Sequence, residues 1–119
     1  MNKEIRWKQR FENFEKAFGL TENDVELIRK VCVRFPEIGD VEVFGSRAMG
    51  NFKPGSDVDL VVKGDGVTQR IISRLSACLN EEIPLPYKFD VLDYASIDSA
   101  KLKEHIDTVG KSLRLNQLT

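Results

Sequence analysis

The stretch Phe44–Val62 reads FGSRAMGNFKPGSDVDLVV and combines two features that indicate a fold and a site. It opens with a glycine-rich segment and ends in an alternating segment that carries Asp57 and Asp59. A strand period of two places both aspartates on one face and the hydrophobic residues on the other. Like charges side by side destabilise a sheet unless a cation compensates them. A surface strand with its acids in water is the alternative interpretation.

The segment GSRAMG at 45–50 carries a second signal. Two glycines flank a hydroxyl and an arginine, a composition that lets backbone N–H groups close around an anion such as phosphate. Most Gly-Ser pairs lie in ordinary turns, so this signal alone is weak. The segment is not a P-loop, because it is predicted to continue as a loop through Pro54 and Gly55 into a strand.

A third aspartate strengthens the hypothesis of a site. Asp90 lies within the apolar segment KFDVL, where an acid requires a partner. Three carboxylates that converge on one site cannot all stay ionised unless cations neutralise them. Mg²⁺ binds carboxylate oxygens together with substrate phosphates. Asp57, Asp59 and Asp90 are therefore the candidate metal ligands.

Composition excludes several classes of protein. The chain has 119 residues and 41% hydrophobic content, enough for one domain with a modest core. A net charge of −1 gives no broad basic surface, so nucleic acid is not a predicted partner. No apolar run approaches the roughly 20 residues of a membrane span, and the start of the chain lacks the apolar core of a signal peptide, so a cytoplasmic location is predicted. Cys32 and Cys78 are predicted as buried residues on helices.

Hydrophobic periodicity predicts the element order α-α-β-β-α-β-α, a small mixed sheet packed with helices, which is an α/β (α+β) fold. An aromatic stripe ends at Phe18 before Gly19, so residues 1–18 are predicted as a helical extension and 19–119 as the domain. The other predicted elements are a helix capped at Thr21, paired strands at 41–44 and 57–63, a helix over 71–79, a strand over 87–94, and a last helix that carries Leu102, Ile106, Val109 and Leu113 inward across Gly110.

Four further polar residues have weaker interpretations. Arg47 either contacts phosphate or braces its loop by pairing with a carboxylate. Lys88 shares the predicted strand face of Asp90 but is interpreted as a solvated lysine. Asp93 falls on the opposite face and is predicted to be a surface or capping acid. His105, the only histidine, is predicted to be a half-buried residue of the last helix.

The order of these motifs resembles the nucleotidyltransferase superfamily of DNA polymerase beta type. The likeness is greatest to the minimal nucleotidyltransferases encoded beside HEPN-domain partners in prokaryotic toxin–antitoxin pairs. The resemblance covers roughly residues 19–115 and is carried by GSRA at 45–48, Gly50, SDVDL at 56–60 and Asp90.

The resemblance implies a role for each motif residue. The nucleotide-binding residues would be Gly45, Ser46, Arg47 and Ser56, of which Gly45 and Ser46 hold the terminal phosphates. Asp57 and Asp59 would ligate two Mg²⁺ ions, and Asp90 the ion that activates the acceptor oxygen.

The implied reaction is transfer of a nucleoside monophosphate, AMP from ATP, to a hydroxyl on a HEPN toxin, with this chain as the antitoxin. Neutralisation of the partner by occlusion without catalysis, and transfer to an antibiotic-type small molecule, are the alternatives. The N-terminal segment IRWKQRFENFEKAF resembles the opening helix of HEPN partners. Its aromatic stripe either packs on its own domain or contacts a partner or a second copy in a homo-oligomer.

Overall fold

The sheet is centred on two hydrophobic strands, β1 (Asp40–Phe44) and β2 (Val58–Lys63), which pair antiparallel. Strand β3 (Phe89–Asp93) runs parallel to β2, and the short β4 (Lys111–Ser112) pairs antiparallel with β1. The strand order is β3-β2-β1-β4. The structure is a computed structural model and describes residues 18–115. The mixed sheet predicted from the sequence is confirmed.

The helices are α1 (Glu22–Cys32), α2 (Gly45–Met49), α3 (Gln69–Ala77) and α4 (Ala100–Val109), with a π-helical turn at Cys78–Glu82 and a 3₁₀ turn at Tyr94–Ser96. Helix α1 begins as predicted. The Thr21 hydroxyl accepts the Asp24 N–H, and the Asp24 carboxylate accepts the Thr21 N–H, so two N–H groups at the helix start are satisfied. No helix described within residues 18–115 is long and apolar enough to cross a membrane.

Alternation along the strands divides the hydrophobic residues between the two faces of the sheet. Val58, Leu60 and Val62 point into the larger core, which also contains buried residues of α1 and α3. Phe44 and Val61 point to the other face, where Ile106 of α4 packs on them. By the same alternation Asp59 lies on the α4 face, because it shares the parity of Val61.

Two predictions about local structure were wrong. Residues 45–49 form one helical turn where a loop was expected, and Gly50 ends this turn in the left-handed region at φ 83°. The last helix ends at Val109 rather than passing Gly110, where a Cβ would lie 2.6 Å from the Ile106 carbonyl oxygen. Leu113 is buried as expected but lies beyond the helix, where its N–H donates to the Val41 carbonyl and extends the unpredicted β4 pairing.

Most of the predicted N-terminal helix, including Trp7, Phe11 and Phe14, lies outside the described residues. Phe18 is fully buried in the larger core. The division into residues 1–18 and 19–119 stays a prediction. Cys32 is buried in α1 as predicted, whereas Cys78 is only partly buried and lies on the π-helical turn.

Candidate active site

Asp59 lies at the centre of the acidic group. Its Cα is paired with Phe44 on β1 and with Asp90 on β3, so Asp59 and Asp90 occupy adjacent positions on parallel strands. Both residues are half-buried, whereas Asp57, two residues before Asp59, is exposed. The sheet register therefore brings Asp59 and Asp90 together on the α4 face.

The electrostatic environment of Asp59 is unfavourable for its charged form. Burial raises the pKa of Asp59 above its usual value, and the carboxylates of Asp90 and Asp57 raise this pKa further. His105 and Arg47 act in the opposite direction. The net effect is a carboxyl group that a nearby cation would stabilise as the anion.

Gly45 lies directly against this carboxyl group. Its φ is 71°, a left-handed conformation that disfavours any residue with a side chain. A Cβ at this position would overlap the Asp59 carboxylate. Glycine is therefore required both by the backbone angle and by the close approach of Asp59.

Gly45→Ala is expected to lower stability by roughly 1–2 kcal/mol through the left-handed backbone, and to displace Asp59 as well. Gly50→Ala is the matched control, because Gly50 also has a positive φ of 83° but no atom lies within 4 Å of its Cβ position. We expect both variants to lose stability in urea denaturation and only Gly45→Ala to lose binding of Mg²⁺ with nucleotide. Equal binding losses in the two variants would show that displacement of Asp59 has no consequence.

The two serines of the motif make different contacts. The Ser46 carbonyl accepts the N–H groups of Gly50 and Asn51, which closes the single turn of α2. The Ser56 hydroxyl accepts the Lys53 N–H at 2.9 Å and so stabilises the turn before β2. Among the described residues the Ser56 hydroxyl thus serves the turn, and phosphate binding by either serine stays a prediction.

Arg47 is a buried cation that joins separate segments of backbone. It is 2% exposed, and its Nη1 donates to the Phe18 carbonyl at 2.7 Å. Its Nε and Nη2 both donate to the Ser56 carbonyl, at 3.2 and 2.8 Å. The guanidinium lies 5.1 Å from the ring centre of Phe52 and 4.8 Å from that of Tyr87. These contacts favour the bracing interpretation, although the bonds go to backbone carbonyls and not to a carboxylate.

His105 is a residue of this site that the sequence analysis did not identify. It is half-buried on α4, as predicted, but its Nε2 accepts the Gly45 N–H at 3.2 Å. Its ring meets that of Phe44 edge to face, with the centroids 6.2 Å apart. Sequence spacing placed His105 beside Ile106 on a helix, but no signal in the sequence indicated that this flank of the helix faces Gly45.

The structure shows the surroundings of Lys88 and Asp93, the two residues near β3 that had weaker predictions. Lys88 is exposed, and its carbonyl accepts the Val58 N–H at the start of the β2–β3 pairing. Asp93 is a capping acid, because its carboxylate accepts the Ala95 N–H at 3.1 Å and the Ser96 hydroxyl at 2.9 Å. It is 7% exposed, so the alternative of a surface acid was wrong.

The carboxylates fit a divalent cation by their chemistry, although they do not form a complete cage. Within residues 18–115 no three His, Cys, Asp or Glu side chains are close enough together to hold a metal ion. Carboxylate oxygens are nevertheless the donors that Mg²⁺ prefers, and Mg²⁺ usually completes its shell with water and substrate phosphate. Burial and the neighbouring acids Asp90 and Asp57 raise the pKa of Asp59, and a cation bound beside this carboxylate would lower it.

A known protein family matches most of the chain. The sequence profile of the family described as "Polymerase beta, Nucleotidyltransferase" matches residues 26–117. No curated protein sequence matches the chain.

Solved structures show the same fold. A crystal structure of a toxin–antitoxin with AMP-PNP is 26% identical, with a TM-score of 0.64, and the match covers 76% of this chain and 72% of that one. A crystal structure of the toxin–antitoxin MntA-HepT is 22% identical, with a TM-score of 0.52 and coverage of 74% and 70%. A mutant of that pair is 23% identical, with a TM-score of 0.55 and coverage of 75% and 67%. With a family profile that spans most of its length, the chain belongs to the polymerase beta-type nucleotidyltransferase family.

Proposed function

We propose that this protein transfers a nucleoside monophosphate, AMP from ATP, to a hydroxyl group of a partner protein, and that two Mg²⁺ ions assist the reaction. The observation that carries the proposal is the contact between the two halves of the motif. The Asp59 carboxylate packs against Gly45 and is adjacent to Asp90, so a triphosphate near the GSR segment would lie beside the acids. The family match supports the class of reaction.

In this proposal each acid has a distinct role. Asp57 and Asp59 hold the cations that bind the triphosphate, and Asp90 accepts the proton of the acceptor hydroxyl. The acceptor oxygen forms a bond to the α-phosphorus while the bond to the pyrophosphate oxygen breaks, with no covalent enzyme intermediate. When bound, the cations neutralise charge on the entering and leaving oxygens.

The proposed acceptor is a HEPN-type toxin, with this chain as its antitoxin. The similarity to a toxin–antitoxin with AMP-PNP supports a protein partner and a nucleotide. Asp57 is exposed to solvent, so a protein partner could approach the acids from this edge of the site. A partner that binds here would bring its hydroxyl to Asp90.

Neutralisation by occlusion is the second candidate. The observation in its favour is that the described acids do not form a complete metal site. In that case the chain binds its toxin and blocks it, and the carboxylates contribute little.

The discriminating experiment is incubation of the chain with the toxin encoded beside it, Mg²⁺ and each nucleoside triphosphate, followed by mass spectrometry of both proteins. We expect the toxin to gain one or more nucleoside monophosphates. Asp90→Asn should still bind nucleotide with Mg²⁺ but should lose transfer by about 100-fold or more, because the acceptor proton has no base. Asp65→Asn is the control, since Asp65 is exposed in the turn after β2 and is expected to leave transfer unchanged.

Inhibition of the toxin with no change in its mass would support occlusion. Transfer by Asp90→Asn at the parent rate would remove Asp90 from the mechanism.

A further inference from the structure

The Gly45 amide is the point where β1 turns into α2, and its hydrogen-bond partner comes from a distant part of the chain. The N–H donates to Nε2 of His105 at 3.2 Å, across 60 residues of sequence. A histidine nitrogen accepts such a bond through its lone pair, so Nε2 of His105 is the acceptor in this contact. The Gly45 N–H is thus already engaged and does not point freely into the site.

Two further contacts make this junction well defined. The His105 ring packs edge to face on Phe44, the last residue of β1. On the other side, the Asp59 carboxylate lies so close to Gly45 that a Cβ would overlap it. The backbone at Gly45 is therefore held between a side chain from α4 and a carboxylate from β2.

We propose that His105 is a positioning residue of the nucleotide site, which acts by holding the Gly45 amide. This inference rests on the proposed function, since it assigns His105 a role in the geometry of that same site. By fixing the peptide between Phe44 and Gly45, His105 sets the start of α2 relative to Asp59. It also leaves Gly45 itself without a free amide for phosphate, so the role of Gly45 is conformational. Phosphate binding then falls to the residues after Gly45.

Two substitutions separate the acceptor nitrogen from the ring. His105→Phe keeps an aromatic ring against Phe44 but removes the acceptor, whereas His105→Gln keeps an acceptor and removes the ring. Glu104→Gln is the control, because Glu104 is an exposed residue of the same helix. The probe is AMP-PNP with Mg²⁺, with its dissociation constant measured by calorimetry beside the melting temperature without ligand.

We expect His105→Phe to weaken AMP-PNP binding about tenfold, the effect of one hydrogen bond of ordinary strength. The dissociation constant of AMP-PNP for His105→Gln should stay within about threefold of the parent value, because the Gln side-chain oxygen can accept the same hydrogen bond. The opposite order, with weak binding by His105→Gln and parent affinity in His105→Phe, would assign the role to ring packing. Parent affinity in both variants would overturn the proposal.

Nuclear magnetic resonance of the Gly45 amide tests the contact independently of nucleotide. Its ¹⁵N–¹H signal should move in His105→Phe and stay near the parent position in His105→Gln, and the parent amide should be protected from hydrogen exchange. If the parent does not bind AMP-PNP at all, the proposed function fails, and these signals still decide whether His105 holds Gly45. If His105→Phe does not fold, hydrogen exchange of the parent protein tests whether the Gly45 amide is held in a hydrogen bond. Rapid exchange at Gly45 would overturn the proposal.

Discussion

Asp59→Asn is expected to abolish nucleotide transfer, by about 100-fold or more, while the metal-free protein stays as stable as the parent or becomes more stable. In the proposed mechanism, loss of the charge removes a cation ligand and with it the chemistry. It also relieves repulsion, because Asp90 and Asp57 raise the pKa of Asp59 in addition to the effect of burial.

The pH dependence follows from the direction of the shift. The folded-state pKa of Asp59 is raised, so the folded protein binds the Asp59 proton more tightly than the unfolded chain does. The resulting contribution to stability is present in full below the unfolded-state pKa and is lost as the pH rises through the folded-state pKa. Asn is neutral at every pH. The stability advantage of Asp59→Asn should therefore be largest at about pH 7 and disappear below about pH 4.

Thermal denaturation at both pH values, with and without Mg²⁺ and nucleotide, measures these effects. The parent should gain stability from Mg²⁺ with nucleotide, and Asp59→Asn should lose most of that gain, since a ligand stabilises only the state that binds it. Strong destabilisation of Asp59→Asn without metal, or transfer at the parent rate, would show that the carboxylate is structural.

Arg47→Met is expected to cause the largest loss of stability, about 2–5 kcal/mol, because it removes a buried side chain that donates three hydrogen bonds to two backbone carbonyl groups. Those groups belong to Phe18 and Ser56, and Ser56 directly precedes Asp57. Met retains much of the side-chain volume between Phe52 and Tyr87, so the loss measures mainly the hydrogen bonds. Urea denaturation monitored by circular dichroism gives the free energy of unfolding.

Arg47→Lys is the matched control for the charge. An ammonium group is compact and lacks the planar fork that reaches both carbonyls. The free energy of unfolding of Arg47→Lys is therefore expected to lie between those of Arg47→Met and the parent. An Arg47→Lys protein as stable as the parent would show that only the positive charge matters at this position. A stable Arg47→Met protein that cannot bind nucleotide would instead place the guanidinium on phosphate, the interpretation that the contacts here do not favour.

Local sequence patterns were sufficient to predict many of the secondary-structure elements of this protein. Alternation in VEVF and DVDLVVK predicted a pair of strands, and the pairing found between β1 and β2 is antiparallel. The capping box of Thr21 and Asp24 predicted the start of α1. The same alternation placed Asp57 and Asp59 on one face, because side-chain direction in a strand depends on position alone. Asp90 was singled out because an acid within an apolar segment requires a partner.

Contacts between distant segments decided the rest. Whether 45–50 forms a loop or a helical turn depends on Gly45, which fits its left-handed conformation against Asp59 and His105. Arg47 could not be assigned from sequence, since its acceptors are backbone carbonyls of residues 18 and 56. A backbone carbonyl carries no signature in the residue type, and the direction that a helix flank faces is set by packing. For this reason the shared strand face of Asp57 and Asp59 was predictable, whereas the contacts of Arg47 and His105 emerged only from the tertiary structure.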